Sequence, residues 1–338
     1  MKSDRNFPQP LTLLLSKQAA SDFGARIGEV LRDVPYRFIH LESEPDAGGD
    51  FGAHIAFLSR EVTGRSSKTE LTDSLLRFYE IMRGSAQLQW LHIHSAGADR
   101  PICAELRGRD VAVTTSSGAN AEPVAQMALA GLLALARRLP ELMDAQRRKS
   151  WEPLLGPRAP KDLRDQTALV VGLGPIGQEI ARLLKALSMH VIGVRRNASP
   201  CPPCDETAAF DRLPDVLPRA DWLVLACPLT DATRGLLNRQ TIGQLPPGAR
   251  IVNVARGEIA VERDLIEALA SGRLGGAFLD VFDREPLSAA SPLWTLPNVM
   301  VTPHSAGHTA GHYAAVGEMF LDNLARWRDG RPLRNSIP

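Results

Sequence analysis

Cysteine is scarce in this chain, with four among 338 residues, at positions 103, 201, 204 and 227. That scarcity excludes a disulfide framework as the support of the fold. Long apolar runs are missing too. The most apolar stretch, Met127 to Ala136, has about half of the roughly 20 residues that a membrane-spanning helix needs. Charge of one sign is not in excess either: 39 basic residues face 38 acidic ones, for a net charge of +1. Such a balance asks for neither nucleic acid nor an anionic membrane as partner. The N-terminal stretch "MKSDRNFPQPLTLLLSKQ" has too short an apolar run for a signal peptide, and no small-residue cleavage site follows it. The chain is therefore expected to be cytoplasmic. A hydrophobic content of 44% over this length supplies a sizeable core and two domains.

Along the first third, short strands and helices alternate. "LTLLLS", "YRFIHLE", "HIAFLSR" and "LQWLHIHS" read as strands, and "DFGARIGEVLRDV" and "TDSLLRFYEIMRG" as amphipathic helices. This alternation predicts a small parallel-sheet domain. The segment that begins "TTSSGANAEP" follows, with a break at Ser117 and Gly118. From Asn120 or Ala121 it becomes a long helix, apolar around much of its circumference, and so buried in the core or against a partner. "EPLLGPRAPKDLRDQ" is a Pro-rich connector. Stronger strands come next: "ALVVGL", "HVIGV", "WLVLAC", "RIVNVA", "GGAFLDVF" and "VMVTPH". With the helical stretches between them they predict a doubly wound sheet. The final "YAAVGEMFLDNLARWRDG" is an amphipathic helix.

Gly172, Gly174 and Gly177 stand in a G-x-G-x-x-G pattern, "GLGPIG". An apolar strand precedes it, and a helix and a second strand follow. That context turns a weak pattern into a dinucleotide-binding one. Gly172 permits the tight turn, Gly174 lets backbone approach a pyrophosphate, and Gly177 lets helix and strand pack closely. The helix N-terminus then offers unpaired N–H groups and partial positive charge to phosphate. About 20 residues past the first glycine, an acidic residue normally receives the ribose 2′-hydroxyl. Here Arg195 and Arg196 occupy that place. An arginine cannot accept a hydrogen bond, but its guanidinium donates a fork of them to a 2′-phosphate. NADP(H) is therefore expected over NAD(H), which stays possible. The alternative is that both arginines face solvent.

Three charged or titratable residues each follow a strand: Arg256 after "RIVNVA", Glu285 after "GGAFLDVF" and His304 in "VMVTPH". In an open parallel sheet the carboxyl ends of the strands share one edge, and ligands bind there. The trio suits hydride transfer to a keto acid. Arginine clamps a carboxylate bidentately and polarises the carbonyl. Histidine donates a proton to the carbonyl oxygen, and a neighbouring glutamate favours the imidazolium and orients its ring.

Six segments, "SAGAD" (95–99), "GLGPIG" (172–177), "CPLTDATRGLLN" (227–238), "LPPGARIVNVARGE" (245–258), "LDVFDREPL" (279–287) and "TPHSAGH" (302–308), make the chain resemble a D-isomer-specific 2-hydroxyacid dehydrogenase. Within that family it is most similar to the glyoxylate/hydroxypyruvate reductases. The resemblance implies a Rossmann-type doubly wound domain (118–305) inserted into a smaller flavodoxin-like α/β substrate domain (1–117, completed by 306–338). It implies a hinge at the two chain crossings. It gives Arg256 to the substrate, Glu285 to the histidine and His304 to acid/base work. The backbone at Ala96 and Gly97 would receive the substrate carboxylate, and Asp280 would face the nicotinamide carboxamide. Pro175, Ile176, Cys227, Pro228, Thr233, Val254 and Ala255 would line the cofactor. A small 2-keto or 2-hydroxy acid is the implied partner, and a homodimer the implied assembly. Two departures stand out: Arg195 replaces the acidic ribose ligand, and Gln126 replaces a usual glutamate with a small expected effect on local hydrogen bonding.

Other conspicuous residues have plainer readings. Cys201 and Cys204 form "CPPC", but the two prolines and the trailing "DET" read as a loop rather than the helix start of a redox pair, and no further zinc ligands stand nearby. His304, His308 and His312 are four apart, yet no third ligand type accompanies them, so no metal is expected. His92 and His94 share a strand face and read as packed or exposed near the pocket. Trp294 lines the pocket or anchors a turn, and by family analogy Trp151 reaches toward a neighbouring subunit. A rival reading is a nucleotide-sensing corepressor that keeps the same motifs and turns over little. The absence of long disordered tails or charge blocks for recruiting partners weighs against it.

Overall fold

A computed structural model describes residues 8–64, 66 and 71–337. Residues 1–7, the start of the stretch read above for a signal peptide, lie outside the described residues. In chain order the first strands and helices are β1 (Leu11–Leu14), α1 (Lys17–Leu31), β2 (Tyr36–Ile39), β3 (Ile55–Leu58), α2 (Arg60–Thr63), α3 (Asp73–Arg83), β4 (Trp90–Ile93), α4 (Pro101–Arg107) and β5 (Ala112–Thr115). Then come α5 (Ala121–Ala136), α6 (Leu139–Arg147), β6 (Thr167–Val171), α7 (Pro175–Ala186), β7 (His190–Arg195), β8 (Glu206–Ala209), α8 (Leu213–Val216) and β9 (Trp222–Leu225). The last are α9 (Arg239–Gln244), β10 (Arg250–Asn253), α10 (Glu262–Ala270), β11 (Gly276–Leu279), β12 (Val299–Val301) and α11 (His312–Arg328). No helix among the described residues is long and apolar enough to cross a membrane.

The chain divides into two compact units. One holds the described residues up to Asn120 together with those from Thr309, and the other holds Ala121–His308. The first unit is built on a parallel sheet of order β2-β1-β3-β4-β5, the flavodoxin-like arrangement. Its strands are short and apolar. Leu13, Ile55, Phe57 and Trp90 face a layer made by α1 and α11, where the Phe320 ring stacks on Phe57 at 4.4 Å between centroids. Leu14, Ala56, Leu58 and Leu91 face α3 and α4 on the other side. The alternation follows from the period of two along a strand. Ser16 starts α1 as its N-cap, its hydroxyl accepting from the Ala19 N–H at 2.9 Å.

The second unit is a seven-stranded sheet, all parallel, of order β12-β11-β10-β9-β6-β7-β8. The order reverses between β6 and β9, which makes that pair the switch point of a doubly wound sheet. The helix expected from Asn120 or Ala121 begins at Ala121 and lies in the core: Val124, Ala125, Ala128, Leu132 and Leu135 pack with Val170, Ile180, Val252 and Phe278. It does not run on as one piece. Arg138, at φ 54°, breaks it into α5 and α6.

Two edge strands depart from the sequence reading. β5 includes Thr114 and Thr115, taken above as the start of the next segment. The "DET" tripeptide is not loop, since Glu206 and Thr207 open β8 alongside β7. The "CPPC" before it is a turn, closed by the Cys204 N–H donating to the Cys201 carbonyl at 2.8 Å. Both cysteines are free. Burial and the adjacent Cys201 thiol push the Cys204 thiol up to about 12, which keeps it protonated and a poor nucleophile at neutral pH.

Candidate active site

The register of the second sheet aligns its strand ends in a row. Val171 pairs with Val194 and with Leu225, Leu225 with Asn253, Asn253 with Leu279, and Leu279 with Val301. Each candidate residue therefore leaves its strand at one level. Gly172 follows β6, Arg195 ends β7, Cys227 follows β9, Arg256 follows β10, Asp280 and Glu285 follow β11, and His304 follows β12.

At the switch point the glycine loop is closed by contact. Gly172 sits at φ +97°, and a Cβ there would lie 2.5 Å from the Cα of Cys227. A Cβ on Gly177 would lie 1.8 Å from the Gly172 carbonyl oxygen. Both glycines are thus required by the fold itself. Gly174 differs, because a Cβ on it would meet nothing within 4 Å. It is the N-cap of α7, with Pro175 in the first turn. A glycine that the packing does not demand, at the N-terminus of a 12-residue helix, fits a backbone that a dinucleotide's phosphates approach.

Arg195 is half-buried at the end of β7 and Arg196 is exposed beyond it. Among the described residues neither guanidinium makes an ion pair or a side-chain hydrogen bond. Both charges are therefore available to an anion. Of the residues that the resemblance gave to the cofactor, Cys227, Thr233, Val254, Ala255 and Asp280 are buried, Ile176 is half-buried, and Pro175 and Pro228 are exposed. Burial pushes the Cys227 thiol up to about 11, so it stays a neutral group at neutral pH. The Thr233 hydroxyl donates to the Pro228 carbonyl at 2.7 Å and accepts from the Thr230 N–H at 2.8 Å, which shapes the loop after β9.

His304 Nδ1 lies 2.8 Å from Glu285 Oε2. Glu285 is fixed in turn by the Phe282 N–H, which donates to Oε1 at 3.1 Å. His304 is half-exposed, with 48% of its side chain open to solvent, so the imidazole is reachable from outside. Arg256 is half-buried, and its Nη1 donates to its neighbour's carbonyl, that of Ala255, at 2.6 Å. The loop carrying it comes against the loop carrying Glu285, since a Cβ on Gly257 would lie 1.8 Å from the carbonyl carbon of Phe282. Close by, the half-buried Glu262 carboxyl is held above the usual carboxylate range by burial, against the opposing pull of the Asp283 N–H that donates to it at 3.4 Å.

Two residues that the sequence reading did not single out shape these loops. Asn253, 1% exposed, donates to the Arg256 carbonyl at 3.1 Å and accepts from the Ala255 N–H at 3.1 Å. Thr302 donates its hydroxyl proton to Asp280 Oδ1 at 2.6 Å. The only sequence signal for either is a polar residue at the end of an apolar strand.

Ala96 and Gly97 belong to the first unit, in the loop after β4, where the Ser95 hydroxyl donates to the Gly97 carbonyl at 2.7 Å. His92 is fully buried, its ring nitrogens at 2.8 Å from Thr114 Oγ1 and 3.1 Å from Ser116 Oγ. His94 Nε2 lies 2.7 Å from Thr63 Oγ1. Trp294 is 50% exposed, and its indole N–H donates to the Ser288 carbonyl at 2.9 Å, the turn-anchoring arrangement. Gln126 is exposed on α5. His304, His308 and His312 do not share a helix, since α11 begins only at His312. Among the described residues no group of three or more His, Cys, Asp or Glu is placed to hold a metal ion.

Comparison with known proteins identifies the family. Residues 129–306 match the family described as D-isomer specific 2-hydroxyacid dehydrogenase, NAD binding domain. The chain is 31% identical over 75% of its length to the glyoxylate reductase/hydroxypyruvate reductase of Homo sapiens, covering 77% of that protein. It superposes with a TM-score of 0.74, at 28% identity, on a D-isomer specific 2-hydroxyacid dehydrogenase from Xanthobacter autotrophicus solved with NADPH and MES, covering 97% of this chain and 98% of the other. An NADPH-dependent glyoxylate/hydroxypyruvate reductase from Sinorhizobium meliloti, solved with NADP and sulfate, superposes with a TM-score of 0.75 at 26% identity, covering 96% and 97%. With its glycine loop, its Rossmann sheet and its Arg–Glu–His edge, this chain belongs to the D-isomer specific 2-hydroxyacid dehydrogenases, a family of NAD(P)-dependent oxidoreductases.

Proposed function

We propose that the protein uses NADPH to reduce a small 2-keto acid, glyoxylate and hydroxypyruvate being the first candidates, to the D-2-hydroxy acid. The observation that carries the reaction type is the 2.8 Å hydrogen bond between His304 and Glu285, formed at the edge where Arg256 also leaves the sheet. Arg256 holds the substrate carboxylate. A reduced nicotinamide, when bound, supplies the hydride to the carbonyl carbon. His304 donates the proton that the carbonyl oxygen then needs, and Glu285 steadies the imidazolium before the transfer. In the reverse direction a neutral His304 takes the hydroxyl proton.

The preference for NADPH rests on Arg195 and Arg196, two guanidiniums at the end of β7 with no anionic partner among the described residues. Charge-assisted hydrogen bonds are worth roughly 1.5–3 kcal/mol each. One or two of them to a 2′-phosphate correspond to a preference of about ten- to a thousand-fold. The same reading takes the chain as a homodimer. Leu139, Met143, Trp151 and Leu155 are exposed apolar side chains that a second copy would cover, Trp151 at 95% exposure.

The test is a set of initial rates with NADPH and NADH against glyoxylate, hydroxypyruvate, pyruvate and a bulkier aryl keto acid. The expected result is turnover of a small acid with NADPH strongly preferred. Preference for NADH would remove the role given to Arg195. Cofactor binding without turnover of any acid would overturn the reductase and favour a nucleotide sensor.

A further inference from the structure

We propose that Asp280 and Thr302 are positioning residues that hold the turn after β12 in the one shape that presents His304 to Glu285. The inference rests on the reading of His304 as the acid/base.

Asp280 is 2% exposed, and a buried carboxylate must have its acceptor sites filled. Among the described residues, the partners of the carboxylate all come from one short turn. Oδ1 accepts from the Thr302 hydroxyl at 2.6 Å, from the Ser305 N–H at 2.8 Å and from the Ala306 N–H at 3.2 Å. Oδ2 accepts from the Ala306 N–H at 3.0 Å. The backbone carbonyl of Asp280 accepts from the His304 N–H at 2.8 Å. These donors lie on both sides of His304 and include its own amide.

That turn is not one the chain adopts freely. His304 sits at φ +50°, in the left-handed region that residues other than glycine seldom occupy. Such a conformation persists where its surroundings over-determine it, and the Asp280 carboxylate supplies that determination. The same strand exit holds the other half of the pair, because the Phe282 N–H fixes Glu285. Residues 280–285 therefore set both ends of the His304–Glu285 hydrogen bond.

The family resemblance gives Asp280 a different task, facing the nicotinamide carboxamide, and the two tasks separate at Thr302. A carboxamide ligand has no need of a hydroxyl on the turn, whereas a turn anchor does. The experiment compares Thr302→Val, Thr302→Ser and Asp280→Asn with the wild-type protein. It reads kcat against pH, the Kd for NADPH, the thermal midpoint, and the downfield NMR resonance of the His304 Nδ1 proton shared with Glu285. Thr302→Val is expected to lose or broaden that resonance and to lower kcat on the order of 10²-fold, the effect of a catalytic group displaced by about 1 Å. Its Kd for NADPH should stay at the wild-type value. Thr302→Ser should restore both resonance and rate, which a loss of general stability would not explain. Asp280→Asn should follow Thr302→Val, because its amide N–H₂ meets donors. An intact resonance and an undiminished kcat in Thr302→Val would overturn the proposal. So would an Asp280→Asn protein that binds NADPH weakly yet keeps the resonance. The resonance is read whether or not a keto acid is turned over, so positioning stands or falls on it, and the acid/base reading on the rate of His304→Ala.

Discussion

Oε2 of Glu285 lies 2.8 Å from Nδ1 of His304, and an ionised carboxylate only accepts hydrogen bonds. The imidazole therefore carries a proton on Nδ1 and directs Nε2 outward. Glu285 sets the tautomer as well as the ring orientation, as a carboxylate does wherever it backs a histidine that transfers protons.

On the proposed role of His304 as proton donor, its removal should be costly. His304→Ala is expected to lower kcat by roughly 10²–10⁴, the usual worth of a general acid. Reduction requires the protonated ring and oxidation the neutral one. The reductive rate should thus fall with rising pH and the oxidative rate with falling pH. Rates that stay flat in both directions from about pH 6 to 9, with chemistry limiting, would contradict the assignment.

Arg195→Ala should raise the KM for NADPH by about tenfold or more while leaving that for NADH nearly unchanged, since only one of the two carries the 2′-phosphate. The ratio of kcat/KM for the two cofactors reads this directly. An equal effect on both would mean that Arg195 acts on the shared pyrophosphate or on the fold.

Acid should destabilise the first unit through its buried histidines. Burial lowers His92 and His94 to about 3, whereas an unfolded chain titrates them near 6.5. Between those values the unfolded state binds more protons, so stability falls as pH drops from about 6.5 toward 3, by at most about 1.4 kcal/mol per pH unit for each histidine. His92→Gln should flatten that dependence. Thermal midpoints across the range, with an unchanged slope in the variant, would exclude His92 as a source.

The contact at Gly257 should tolerate no side chain. Gly257→Ala places a methyl 1.8 Å from the Phe282 carbonyl carbon, which forces the Arg256 and Glu285 loops apart. A fall in kcat/KM of about 10²-fold is expected for a misplaced site. A crystal structure of the variant with both loops unmoved would refute the claim.

Much of the fold was legible because its strands are apolar runs bounded by glycine and proline and separated by helices of clear period. The glycine loop was legible for a similar reason, since its pattern stood between two unmistakable strands. The sequence reading failed at the edges. β8 is half-buried along its whole length, so "ETAA" carries no alternation of apolar and polar residues. β5 begins with the exposed Ala112 and ends in two threonines, which also suit a turn. The break at Arg138 is marked by Pro140 in the first turn of α6, which has no N–H to continue the ladder of α5, and the sequence reading passed over it. In the site, Arg256, Glu285 and His304 were readable as charged residues after strands. Thr302 was not, and Asp280 was reached only through the family resemblance and for another role, since the hydrogen bonds from Asp280 to the turn span more than twenty positions of chain and no local pattern encodes that turn's shape. Asn253 is similar, a strand-end amide whose partners are backbone groups.

The stack of Phe320 on Phe57 bears on how the protein is made. Phe57 leaves the ribosome well before Phe320. The first unit cannot finish its core until α11 has emerged, whereas the second unit, one unbroken stretch from Ala121 to His308, can close while synthesis continues. Of the two units, the one that begins first is completed last, and part of one face of its sheet stays uncovered until α11 arrives. A premature stop a few codons before α11 would therefore leave a folded Rossmann unit attached to an unfinished, aggregation-prone neighbour.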